Sequence, residues 1–347
     1  MVDSISTSCS TNCIVGGQDP NCQGHLKCEI SRAMPCANNG CRETFRDWRN
    51  WPLAVRFSPL LRDPSVLDLL LTMLKAELDV IPDASDRFQG RYPLTVKLMK
   101  RTIDSFPRLD PGIPWLHLIG PDPAGGNRRT ILHWLCDKFE GMLVPTPPSA
   151  KVHGMPGSGE SFLLLSTRPR WQAAFEKRLV SRKREKGGTA AFHGAPPHAL
   201  FNIMCDGLKV GPSRHIYYTR QPAHAIWYIA WRSQFRLDTD QGSRKLNYPN
   251  VLRGWKNSKF KNMVLMFGVE VAGPRPENHE AGSLQKEVMV RYLFLLPADK
   301  VQGLEHVGEW YWENEPAKNW LDGNLVLDRM EAAYQDIHHG SLMARAS

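Results

Sequence analysis

The sequence predicts an α+β fold, and two observations carry the prediction. Short runs of strand composition recur through the second half of the chain, at Phe162–Leu165, Thr189–Phe192, Ile216–Thr219, Asn262–Val271 and Glu287–Leu296. Only two or three helical patterns lie among them. That is too few for a doubly wound sheet, in which each parallel strand needs its own crossover helix. The region before these strands reads as helical, and 347 residues are enough for two packed units and a tail.

In chain order, residues 1–50 form a cysteine-rich arm. Six of the eight cysteines stand here (Cys9, Cys13, Cys22, Cys28, Cys36 and Cys41), among Ser, Asn, Gly and Pro with too little apolar content to bury a core. Two readings fit. Zinc held by Cys22, Cys28, Cys36 and Cys41, or by a subset with His25, would supply what packing cannot. A flexible arm of reduced thiols is the other, and the spacing includes no pair of Cys-x-x-Cys knuckles. Cys136 and Cys205 sit in apolar surroundings and read as core residues.

A helical domain spans 51–143. Asp63-Pro64-Ser65 is a helix start, with Asp63 as N-cap and proline in the first turn. Val66, Leu67, Leu70, Leu71, Leu74 and Leu78 continue it as an apolar stripe. A second helix runs from Tyr92 to Ile103. His117 and His133 read as core histidines. Gly125-Gly126-Asn127-Arg128-Arg129 lacks the full phosphate-loop pattern and reads as an ordinary loop. Residues 144–160, rich in Pro, Gly and Ser, read as a linker.

Beyond the linker, Arg170–Arg184 is helical, with Trp171, Phe175 and Leu179 at four-residue spacing. Its basic end, Arg182-Lys183-Arg184-Glu185-Lys186, fits a solvated last turn favoured by the helix dipole, or a nuclear import signal. Thr189–Ala195 is a buried strand that ends in His193-Gly194. Pro196 and Pro197 then open a helix that stops at Gly207. A helix through Ala223, Ile226, Trp227, Tyr228 and Trp231 follows the Ile216–Thr219 strand. Residues 301–347 form a C-terminal helical tail, with one helix from Leu325 to about Ile337.

Composition bounds the function. A net charge of +9 favours an anionic partner: nucleic acid, an acidic membrane face or a phosphorylated small molecule. No run of ~18 apolar residues occurs, so no membrane span is expected. The first residues carry no basic region followed by an apolar one, so no secretory signal is expected either. Together these predict an intracellular protein of the nucleus or cytoplasm, in which structural disulfides are not expected.

Several pieces stand in a familiar order. Phe162-Leu163-Leu164-Leu165-Ser166, the Trp171–Arg184 helix and Thr189-Ala190-Ala191-Phe192-His193-Gly194 together resemble the catalytic domain of poly(ADP-ribose) polymerase-like ADP-ribosyltransferases, closest to the small mono-ADP-ribosylating branch. The spacing from His193-Gly194 to Gly207-Leu208 is similar to that family's. Ile216-Tyr217-Tyr218-Thr219 looks like its Ile-Tyr strand, Tyr228 falls where its second tyrosine stands, and Arg291-Tyr292-Leu293-Phe294 resembles its closing strand. The likeness covers about residues 156–300, so that 161–300 would be the catalytic domain.

The resemblance implies a split two-sheet ADP-ribosyltransferase-type fold that takes NAD as co-substrate in the cleft between two small sheets. Gly194 would hold the nicotinamide carboxamide through its backbone, His193 would contact the adenosine ribose, and Tyr217 and Tyr228 would flank the nicotinamide ring. Glu280 would be the catalytic acid, about a dozen residues before Tyr292, with Glu277 and Glu287 in the neighbourhood. The sequence also departs from the pattern. Ala225 stands where the family often has a serine. Pro212, Ser213, Arg214 and His215 replace the glycines before the Ile-Tyr strand, and the loop from Gly207 to Ile216 is short. The implied activity is transfer of one ADP-ribose unit from NAD to a protein or nucleic-acid acceptor with release of nicotinamide, a chemistry that requires no metal. The departures imply an alternative, a catalytically weak or inactive module that binds NAD, ADP-ribose or a partner. A nucleic-acid binder built on the arm and the basic charge ranks last, because no recognised reading module occurs.

Overall fold

Seven antiparallel strands make one sheet in the computed structural model, which describes residues 63–83, 90–110, 118, 123–152, 155, 160–183, 188–210, 215–234, 251–273, 280–283, 285–301 and 323–334. The strands are β1 (Met142–Pro145), β2 (Ser161–Ser166), β3 (Thr189–Gly194), β4 (Ile216–Thr219), β5 (Met263–Val271), β6 (Glu280–Ser283) and β7 (Val288–Pro297). Their order is β1-β2-β7-β5-β3-β4-β6. The helices are α1 (Pro64–Asp79), α2 (Val96–Asp104), α3 (Pro123–Lys138), α4 (Pro169–Ser181), α5 (Pro197–Asp206), α6 (Pro222–Gln234), α7 (Ala298–Val301) and α8 (Gly323–Tyr334). The fold is therefore α+β. The cysteine-rich arm, with its zinc reading, lies outside the described residues. Among the described residues, no three or more His, Cys, Asp or Glu side chains are grouped to hold a metal, and no helix is long and apolar enough to cross a membrane.

Both faces of the sheet centre are covered, which explains why β5 and β7 read as near-continuous apolar runs. One face carries Leu265, Phe267 and Val269 on β5 with Leu293 and Leu295 on β7, and shares a core with α1, α2, α3 and α5. The other carries Val264, Met266, Tyr292 and Phe294, and packs with Ala225, Ile226 and Ile229 of α6 and Leu327 and Met330 of α8. Cys136 and Cys205 are buried in the first core, as their surroundings predicted. Asp63 caps α1, its carboxylate accepting from the Ser65 backbone N–H at 2.9 Å.

Four local expectations are revised. The 125–129 run is not a loop but part of α3, where Pro123 opens the helix and Ile131, Leu132 and Leu135 bury its far end. The second helix begins at Val96 rather than Tyr92, because Thr95 supplies the cap, accepting from Leu98 N–H at 3.4 Å. Residues 144–160 include the end of β1 and a 3₁₀ turn at Pro148–Ala150, with Ala150 and Val152 buried. Finally, the expected two sheets are joined. Five strands (β1, β2, β7, β5, β3) and two (β4, β6) meet at the single pair Phe192↔Thr219.

A β-bulge between Gly268 and Val269 sets Arg291 as the extra residue of β7. Its side chain is fully buried and donates from Nε to Glu270 Oε2 at 2.8 Å and from Nη1 to Gln172 Oε1 at 3.0 Å. The second Glu270 oxygen accepts from Gly188 N–H at 2.8 Å.

Candidate functional site

The residues singled out by the sequence gather at the β3–β4 seam. β3 is fully paired on one edge, from Thr189↔Val271 to Gly194↔Met266 of β5. Pro197 then starts α5, and Gly207 ends it at φ +75°, a conformation that favours glycine. The strand thus delivers His193 and Gly194 to its last two positions, directly before a fixed turn. On its other edge β4 is in register with β3 only at Phe192, so the edge at His193 and Gly194 has no strand laid along it.

The imidazole of His193 spans this seam. Its Nδ1 stands 2.7 Å from the Tyr217 carbonyl oxygen. A carbonyl only accepts, so Nδ1 carries the proton and Nε2 holds a lone pair. Burial lowers the His193 pKa from its ordinary value, and the bond to Tyr217 opposes that shift in part. The ring is therefore neutral at pH 7. It lies nearly parallel to Phe267, its partner on β5, with centroids 6.4 Å apart and planes 26° from each other.

Tyr217 is two residues from the Phe192↔Thr219 pair, and its carbonyl is the one that His193 reaches. It is 37% exposed, whereas Tyr218 is 2% exposed and belongs to the core. The alternation of a half-buried strand separates the two tyrosines: one serves packing, the other the surface. β6 lies on the outer edge of β4, with Glu280 opposite Thr219 and Gly282 opposite Tyr217. Of the neighbouring acids, Glu287 is buried and engaged by Arg182, whose Nη2 donates to it at 3.0 Å. Glu277 lies outside the described residues.

Tyr228 is half-buried on α6, one turn beyond Ala225. Helix and strand approach closely: a methyl group on Gly194 would collide with the Ala225 carbonyl oxygen. The glycine thus has a packing reason that holds whether or not a ligand binds. The Ala225 carbonyl and the Phe267 ring are the two contributors that sequence reasoning missed. Phe267 carried no signal beyond strand composition, and a backbone carbonyl carries none.

The seam thus offers a neutral imidazole with a free acceptor nitrogen, an open strand edge at a glycine, and an exposed phenol beside them. No protein-family model matches the chain, and no curated protein matches it.

Proposed function

We propose that this chain is an NAD-dependent mono-ADP-ribosyltransferase that works at the β3–β4 seam. The observation that carries this reading is the convergence of His193, Gly194, Tyr217 and the backbone position of Glu280 from three different strands onto one junction. NAD would set its carboxamide on the open edge at Gly194, with Tyr217 and Tyr228 at the nicotinamide ring, where flat aromatic surfaces suit a flat ligand. Nε2 of His193 would accept from a hydroxyl of the adenosine ribose. The glycosidic bond between C1′ and the nicotinamide nitrogen breaks, and nicotinamide leaves with the bonding pair. The acceptor nucleophile, on a protein or else on a nucleic acid, forms the new bond to C1′ and gives up its proton. The Glu280 carboxylate would stabilise the positive charge that develops on the ribose in the transition state.

Ala225 favours a second reading. It is 2% exposed and has no hydroxyl to offer the carboxamide, which costs on the order of 1 kcal/mol of binding relative to serine. A module that binds NAD or ADP-ribose with little turnover follows from that loss. Incubating the full-length protein with NAD labelled in its adenylate phosphate separates the two. Label on protein with matching nicotinamide release, both lost in Glu280→Ala, is the expected result. NAD binding without nicotinamide release favours the module, and absence of binding overturns both.

A further inference from the structure

We propose that a cleft between α4, α5 and the first residues of β7, apart from the β3–β4 seam, binds small apolar molecules through a primary carboxamide head. The cleft exists because the sheet forks. β2 pairs with β7 only as far as Leu163↔Tyr292. Beyond that point β2 follows β1 and β7 follows β5, so Val288–Val290 keep one edge uncovered. Ala272 N–H donates to the Glu287 carbonyl at 2.8 Å. Successive residues of an antiparallel strand aim their amides to alternate sides, so Val288 and Val290 turn theirs into the fork. Leu164, Met204, Leu208 and Met289 give the cleft apolar walls, and its volume is about 30 Å³.

Arg168 and Trp171 line the same space. Trp171 Nε1 is buried and has no hydrogen-bond acceptor among the described residues. The Arg168 guanidinium is engaged, its Nη2 donating to the Lys138 carbonyl at 3.1 Å and its Nε facing Glu140. A buried donor without an acceptor is uncommon in folded proteins, and one that lines a cleft points to an acceptor brought by a ligand. The ligand is neutral, because Asp206 and Glu140 already stand 3.5 and 3.8 Å from the Arg168 guanidinium and would repel a further carboxylate. A primary amide meets both needs. Its oxygen takes the indole N–H, and its nitrogen gives to a carbonyl on the uncovered edge of β7. That volume, room for about one or two waters, suits such a head, with the apolar body lying along the mouth.

The test is a titration of hexanamide, hexanoate and hexylamine into full-length protein carrying ¹⁵N-labelled tryptophan. Hexanamide should shift one indole resonance saturably, identified as Trp171 by its loss in Trp171→Phe. Its affinity should exceed that of either charged analogue at least tenfold, and should fall at least tenfold in Trp171→Phe. Leu208→Trp, which fills the mouth and spares the indole, should also abolish the shift, and it serves if the first variant fails to fold. No saturable shift means that the cleft holds ordered water only, and this overturns the proposal, as does hexanoate binding equally well. These readouts do not involve NAD and stand independently of the proposed reaction.

Discussion

β5 and β7 pair along their whole length, from Met263↔Pro297 to Val271↔Val288, whereas β3 and β4 meet at Phe192↔Thr219 alone. The long ladder is buried on both faces and carries a charged pair, Arg291 and Glu270, with neither side chain exposed. The short join has an exposed tyrosine and a histidine reaching across it. Regular pairing uses up backbone groups; a join of one pair leaves them for other work. The residues proposed to bind NAD stand where the ladder is shortest, beside strands held by the long one.

Breaking the buried pair should have the largest effect. Glu270→Ala leaves Arg291 charged, buried and without its carboxylate, and should cost about 3–5 kcal/mol in a urea unfolding titration. The double change Glu270→Leu with Arg291→Met removes both charges and should recover most of that loss. At the seam, Gly194→Ala forces α6 and β3 apart and should cost about 1–3 kcal/mol by the same measurement, because the clash is with backbone rather than with a movable side chain tip. NAD binding, followed by calorimetry, should be lost with it.

The third prediction concerns pH. The folded state holds His193 below its ordinary pKa. Between about 6.5 and its lower folded value, the unfolded chain binds the extra proton. The stability from keeping this ring neutral is therefore complete above about pH 6.5 and declines as pH falls through the folded value. His193→Gln should flatten the difference between unfolding midpoints at pH 7.5 and pH 5.5. The smallest effect on stability should come from Tyr217→Phe, within about 0.5 kcal/mol for an exposed phenol. The same variant should still weaken nicotinamide release from NAD, which sharpens the contrast between scaffold and seam.

Local signals were legible in the sequence wherever one residue type decides the backbone. Asp63-Pro64 starts α1 and Gly207 stops α5, as their chemistry requires. The strand from Thr189 to Gly194 and the strand from Ile216 to Thr219 stand where their composition put them. What escaped were properties of pairing. β6 is four residues of Glu, Ala, Gly and Ser, with no strand signal of its own, and exists through its bonds to β4. The run from Gly125 to Arg129 read as a loop because its paired glycines weaken a helix, yet the buried residues further along the same helix prevail. The union of the two expected sheets rests on one pair, too small a feature for any composition to announce. At the candidate site, His193, Gly194 and Tyr217 were named from motif order, and the contact of His193 with Tyr217 across the seam came only with the fold.

The bulge at Arg291 gives β7 two reading frames. Val288 and Val290 share a core with Leu293, while Tyr292, only two residues beyond Val290, belongs to the opposite core. An uninterrupted period of two would put Val290 and Tyr292 side by side. The single inserted residue acts as a phase shift. It lets one continuous apolar stretch address one face with its first residues and then exchange odd for even, so that deleting Arg291 would place Val290 next to Tyr292 in an unbroken alternation and keep every other side chain on its face, while removing the buried charge.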